Sequence, residues 1–171
     1  MNDFERLFLP HLDAAYSLAY WIVGGREDAQ DIVQEAYVRA LKGFSKFRGD
    51  NPRAWLLTIV RNTAYSWVKK RPKEQRVIPI DAETYAVPVE LPASERSQER
   101  RRLLFEQALN RLPPEFREVF ILFEIERCSY KAMAAALDVP LGTVMSRLSR
   151  ARRRLQQELI QIRDREFESD W

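Results

Sequence analysis

An all-α protein built from two small helical bodies is the fold the sequence predicts, on three observations. Apolar residues recur at helical spacing through most of the chain. Only five glycines occur in 171 residues, with 46% hydrophobic content, which argues against an all-β or α/β fold and against wholesale disorder. The periodicity is lost once, between residues 77 and 97, where Pro79, Pro88 and Pro92 fall among scattered acids. The division is therefore a first domain at 1–76, a linker at 77–97, a second domain at 98–163 and a tail at 164–171. A coil of about 21 residues has an end-to-end distance near 25 Å and a ceiling near 70 Å, enough for the two bodies to work apart on a flexible tether.

The first helix is expected from Asp3 to Val23, ending at Gly24-Gly25, with Phe4, Leu7, Phe8, Leu12, Ala15, Leu18, Ala19 and Ile22 inward. The second is expected from Asp28 to Phe44. Ala29, Ile32, Val33, Ala36, Tyr37, Ala40 and Leu41 form its apolar face, and Asp28, Asp31 and Glu35 line up on the other. Like charges so placed repel by about 0.2–0.5 kcal/mol per adjacent pair. An acidic row inside a basic segment does not serve DNA; it is solubilising decoration or a docking face for a basic protein.

After a loop holding Lys46, Phe47, Arg48 and Gly49, Asn51 is suited to cap a helix and Pro52 to its first position. That helix runs to the basic group Lys69, Lys70, Arg71. Leu56, Ile59, Val60, Ala64, Trp67 and Val68 face inward, while Thr58, Arg61, Asn62, Tyr65 and Lys69 face out. Aromatics interleaved with cations suit single-stranded nucleic acid, whose bases stack and whose backbone attracts cations. The alternative is that these aromatics pack the domain; Trp55 and Trp67 are expected in the core and Tyr65 partly available.

In the second domain, a helix to Arg111 buries Leu103, Leu104, Ala108 and Leu112. Pro113-Pro114 break it, and the apolar segment from Glu115 to Glu126 forms the centre. Ser129 then caps a short helix, Tyr130 to Leu137; Asp138 and Val139 break it before Pro140, and a new helix starts near Leu141. On that helix Val144, Leu148, Ala151 and Leu155 make an apolar stripe, with Thr143, Ser146, Arg147, Arg150 and Arg154 opposite. Five arginines lie between 147 and 154 with no acid among them, whereas a merely solvated helix interleaves signs. This is a helix-turn-helix whose second helix suits a DNA groove.

Net charge is only +3, yet its distribution is uneven. Residues 1–76 carry 13 basic and 9 acidic side chains, 77–99 carry 1 and 5, and 100–171 carry 14 and 11. Two basic blocks flank an acidic connector, the layout of two modules approaching one polyanion. The single cysteine, Cys128, reads as a buried hydrophobe and fits a reducing compartment; the single histidine, His11, lies on an apolar stripe. With no second histidine or nucleophile pair and no glycine-rich phosphate loop, the residues argue against an enzyme, a metal site or a cofactor. No signal peptide or long apolar run occurs, so the expected place is the cytoplasm.

At this point the motifs resemble a bacterial extracytoplasmic-function sigma factor, the compact group keeping only sigma domains two and four. DAQDIVQEAYVRALK and FRGDNPRAWLLTIVRNTAYSWVKKR are similar to the family's domain-two segments; LNRLPPEFREVFIL and SYKAMAAALDVPLGTVMSRLSRARRRL are similar to its domain-four segments. The resemblance implies a non-enzymatic transcription initiation factor whose partners are core RNA polymerase, through the β′ clamp helices and the β subunit, promoter DNA and an anti-sigma protein. It places Asp28, Asp31, Gln34 and Glu35 at the polymerase. Phe47, Arg48, Arg61, Asn62, Tyr65 and Lys69 fall on the melted downstream element, and Thr143, Ser146, Arg147, Arg150 and Arg154 on the upstream duplex element. The chain departs from the family at Asp138, where relatives often carry glycine. Two other readings stand beside this one: a sigma-like decoy that sequesters an anti-sigma protein, and a stand-alone helix-turn-helix regulator.

Overall fold

The computed structural model describes residues 1–71 and 93–169. Their helices are α1 (Asp3–Phe8), α2 (Leu12–Val23), α3 (Arg26–Gly43), α4 (Pro52–Lys70), α5 (Ala93–Asn110), α6 (Pro114–Phe120), α7 (Tyr130–Leu137) and α8 (Leu141–Ser169). Short 3-10 turns at Leu9–His11 and Phe44–Lys46 and a π-helical turn at Ile121–Ile125 complete the regular structure. The described residues contain no strand, as the all-α expectation requires. Of the expected linker, residues 77–92 lie outside the described residues, and α5 already begins at Ala93.

The first body is α1 to α4. Asn2 opens α1 with a reciprocal cap, its side chain accepting from the Glu5 amide at 2.8 Å while the Glu5 carboxylate accepts from the Asn2 amide at 3.1 Å. The single helix expected over Asp3 to Val23 is interrupted, because Pro10 has no N–H to continue the ladder and the chain tightens into the Leu9–His11 turn. Gly24 ends α2 in the left-handed region at φ 81°, its amide donating to the Tyr20 carbonyl at 2.7 Å. The Asn51 side chain caps α4 by accepting from the Ala54 amide at 2.9 Å, with Pro52 next, as expected.

Leu18, Ala19, Ile32, Ala36, Leu56, Leu57 and Val60 fill the space between α2, α3 and α4. One end is closed by an aromatic cluster in which Phe8 meets Phe44, Phe47 and Trp55 with centroids 5.3–6.0 Å apart. The Tyr37 hydroxyl donates to the Phe8 carbonyl at 2.6 Å, and burial pushes its phenol up to about 12.

The second body is α5 to α8. Ala108, Leu109, Leu112, Val119, Ile121, Leu122, Met133, Leu137, Val144, Leu148 and Leu155 form its core, with Cys128 buried beside the turn into α7. Long α8 runs back along α5, tied by Arg100 to Glu166 at 2.8 Å and Arg111 to Glu158 at 3.7 Å. Both helical bodies that the sequence predicts are thus present. They are not held apart, however: α7 packs on α4 and α6 on α2, so the apolar interiors join into one continuous cluster.

Candidate nucleic-acid interface

The acidic row on α3 divides. Asp31, Gln34 and Glu35 are exposed, and Glu35 pairs with Arg39 one turn on. Asp28 is half-buried and turned inward, accepting from Arg71 at 2.7 Å, while the Arg71 guanidinium lies 3.6 Å from the centre of the Trp67 ring. Asp28 therefore latches the start of α3 to the end of α4. Continuing the exposed row at helical spacing come Val38, 51% exposed, and Leu41, 55% exposed. Leu41 was expected in the core; its position at the outer edge of the apolar face leaves it outside. An acid-and-apolar stripe on α3 thus faces solvent.

On α4 the expected outward row exists, but the second body covers part of it. Arg61 donates twice to the Glu118 carboxylate, Nε to Oε2 at 2.9 Å and Nη2 to Oε1 at 3.2 Å, and the Tyr65 hydroxyl donates to the same Oε2 at 2.9 Å. The Arg61 guanidinium sits 4.9 Å from the Tyr65 ring centre. Burial first, and then the Glu118 carboxylate, hold the Tyr65 phenol above its ordinary range, so it stays a neutral donor. Asn62 and Lys69 remain exposed.

Neighbouring cross-contacts join Arg53 to the Glu126 carbonyl and carboxylate, and Arg117 to the Trp21 carbonyl at 3.0 Å. Phe47 lies in the aromatic cluster, its ring 5.1 Å from Trp55, while exposed Arg48 donates to the Ser45 and Phe47 carbonyls.

The helix-turn-helix forms as the sequence predicts. Ser129 accepts from the Ala132 amide at 3.1 Å and starts α7. Asp138 ends it in the left-handed region at φ 53°, ψ 50°, and the Val139 amide returns to the Ala134 carbonyl at 3.1 Å. The Pro140 carbonyl then accepts from the Thr143 and Val144 amides to open α8. With Val144, Leu148, Ala151 and Leu155 buried, the opposite side presents Ser146, Ser149, Arg150 and Arg153, all exposed. Thr143 and Arg147 stand half-buried at its edges.

Arg154 is exposed but draws back to Glu158 at 3.1 Å, and Arg152 pairs with Glu124. Ser149 differs from some relatives of the resembled family, which carry a bulkier side chain there; Arg153 was not singled out from the sequence, although it lies seven residues from Ser146 and three from Arg150, in phase with both. No residue group among those described is arranged to hold a metal, and none of the described helices is long and apolar enough to cross a membrane.

Comparison with known proteins supplies the family. Residues 7–74 match the Sigma-70 region 2 model and residues 102–155 the Sigma-70, region 4 model. The ECF RNA polymerase sigma factor SigE of Mycolicibacterium smegmatis is 35% identical over 162 residues, covering 93% of this chain and 62% of that protein. The ECF RNA polymerase sigma-E factor of Haemophilus influenzae is 33% identical over 144 residues, covering 78% of this chain and 76% of that one. Among solved structures, the sigma factor RpoE in complex with the anti-sigma factor NepR from Bartonella quintana is similar, with a TM-score of 0.69 and 31% identity, covering 93% of this chain and 98% of that one. CnrH in complex with the cytosolic domain of CnrY follows with a TM-score of 0.66 and 26% identity, covering 91% and 86%.

Proposed function

This chain belongs to the extracytoplasmic-function family of RNA polymerase sigma factors, and from that premise we propose a division of labour among its surfaces. Residues 1–76 dock on core RNA polymerase through the α3 stripe of Asp31, Gln34, Glu35, Val38 and Leu41, with Asp28 serving to brace that helix. The same domain holds the melted downstream strand through Arg61, Asn62, Tyr65 and Lys69, with Arg48 near the loop and Phe47 shaping it from behind. Residues 98–163 read duplex DNA through Ser146, Ser149, Arg150 and Arg153, flanked by Thr143, Arg147 and Arg154. The chain does no bond chemistry itself; it acts in the cytoplasm, where it directs core polymerase to promoters. The similar sigma factor RpoE, solved in complex with the anti-sigma factor NepR, supports an anti-sigma partner for this chain as well.

The observation that carries this reading is the outward face of α8. Arg150 and Arg153 stand exposed with no ion pair among the described residues, in the first half of a helix seated by a tight turn, where a groove can be entered. A decoy that only sequesters a regulator has no use for those cations, and a stand-alone regulator has no use for α3. Unstacking a base costs a few kcal/mol, which stacking worth about 1–3 kcal/mol per base and polymerase contacts offset.

Run-off transcription with purified core polymerase on a panel of genomic promoters tests the proposal. Defined transcripts that require the added chain support it; a chain that binds core polymerase yet never yields one sinks it.

A further inference from the structure

The start of α8 differs in chemistry from the rest of the helix. Over residues 141–149 the exposed positions are Leu141, Gly142, Met145, Ser146 and Ser149, and no exposed cation occurs before Arg150. Leu141 is 48% exposed and Met145 51%. Four residues apart, their side chains are neighbours on one flank of the helix. Val144, Leu148 and Ala151 make the buried stripe, so neither exposed side chain serves the core. Gly142, next to Leu141, is helical, and a Cβ added there would meet nothing of the chain within 4 Å. Glycine in a helix is less stable than alanine, so the fold gains nothing from its presence. The Ser146 hydroxyl donates back to the Thr143 carbonyl at 3.1 Å and keeps only its lone pairs for an outside partner. This end of α8 therefore offers apolar surface and open space rather than charge.

The first residues of a helix seated in this way are those that meet base edges. In the major groove those edges carry hydrogen-bond donors and acceptors, and of the four bases only thymine adds an apolar group, its C5-methyl. An apolar side chain pressed on polar edges strips their water and returns no hydrogen bond, whereas against a methyl it removes apolar area on both sides. We infer that Met145 and Leu141 are specificity-determining residues that read thymine by its methyl group, with Gly142 leaving room for the duplex to approach the helix start. This inference rests on the proposed duplex-reading face of α8 and adds what that face selects. The two side chains lie about 6 Å apart along the axis, near the rise of two base pairs at about 3.4 Å each. The methyls they meet therefore belong to thymines one or two steps apart, with Arg150 and Arg153 supplying the grip beyond them.

Holoenzyme assembled from core polymerase and the full chain, bound to the duplex of a promoter that it transcribes in run-off, tests the reading of methyls. Each thymine of the upstream footprint is replaced in turn by deoxyuridine, which pairs as thymine does and lacks only the methyl. At one or two positions the replacement should weaken binding about fourfold, near the worth of one buried methyl. Met145→Ala should bind the thymine duplex about fourfold more weakly and become indifferent to uridine at one of those positions. Leu141→Ala should become indifferent at the other. Both side chains are exposed, so neither change should alter helical circular dichroism. Met145→Leu, still apolar, should keep the preference. Arg153→Ala should weaken binding to both duplexes and leave the thymine-to-uridine ratio at the parent value, which separates selection from grip.

Equal affinity for thymine and uridine at every position overturns the inference, as does an upstream footprint without thymine. A uridine effect that persists unchanged in both Met145→Ala and Leu141→Ala overturns it too. Should either variant instead lose core polymerase in a pull-down, this flank docks protein and the inference falls. A holoenzyme that leaves no upstream footprint, or yields no transcript, counts instead against the proposed function, so the two failures are told apart.

Discussion

At residue 138 the chain carries an aspartate at φ 53°. Left-handed geometry costs an ordinary L-residue about 1–2 kcal/mol, and aspartate less, because its short polar side chain bonds locally. Asp138→Gly should therefore leave stability within about 1 kcal/mol, since strain relief is offset by the entropy glycine loses on folding. Asp138→Val should cost about 1–2 kcal/mol in urea unfolding, through a β-branched side chain in a conformation it avoids. Ser129→Ala, which removes the side-chain cap of α7, should cost about 1 kcal/mol by the same measurement. Equal midpoints for Asp138→Gly and Asp138→Val would show that the turn adapts to its side chain.

Local chemistry of this kind is what a sequence displays openly. The Ser129 cap, the Asn51-Pro52 helix start and the Gly24 stop all depend on neighbours within four residues, and each is where the pattern places it. Glu118 was hidden for the opposite reason. In the segment Glu115 to Glu126 it reads as one acid in an apolar stretch, and its partners Arg61 and Tyr65 lie 57 and 53 residues earlier. No short-range period connects such positions.

Among the elements, α3 and α8 present the clearest experiments. Asp31→Lys with Glu35→Lys should abolish association with core polymerase while helical circular dichroism is unchanged, because both side chains face solvent. Unchanged binding in a pull-down would remove α3 as the docking face. On α8, Arg150→Ala should weaken binding to the cognate duplex by about 1–3 kcal/mol and relax sequence preference if the guanidinium meets a base edge. Arg153→Ala, further along the same face, should lower affinity on all sequences and reduce the salt slope by about one, as loss of a phosphate contact does. Titration at several salt concentrations separates the two. Helical phase made the α8 face readable from sequence. The division of the α3 row did not show there, because the Arg71 that draws Asp28 away lies 43 residues on.

For the whole molecule, alkaline pH is a direct probe of how the parts hold together. Tyr37 fastens α3 to the end of α1, and Tyr65 fastens α4 to α6; both phenols have pKa values raised above 10, foremost by burial. The fold therefore favours their neutral forms. Their contribution is fully present below the unfolded value near 10 and is lost as pH rises, through about 12 for Tyr37. Denaturant midpoints should hold up to pH 9 and fall by pH 11.5, and Tyr37→Phe should flatten that fall. Cys128, whose thiol burial pushes up, should react with iodoacetamide only as fast as the second body opens. The sequence displayed two bodies and the signs of their charges, but not their contact. That contact is made by side chains scattered over α2, α4, α6 and α7, none of which forms a motif alone.

Helix α8 has one more property that follows from its length. It is a single 29-residue rod, about 43 Å long, with Arg150 roughly a third of the way along it and Glu166 near its far end. Glu166 is clasped by Arg100, close to where the chain enters the second body. The clasp therefore lies about 24 Å along the rod from Arg150. A substitution that opens the clasp therefore acts on the far end of a stiff rod, remote from the face that carries Arg150.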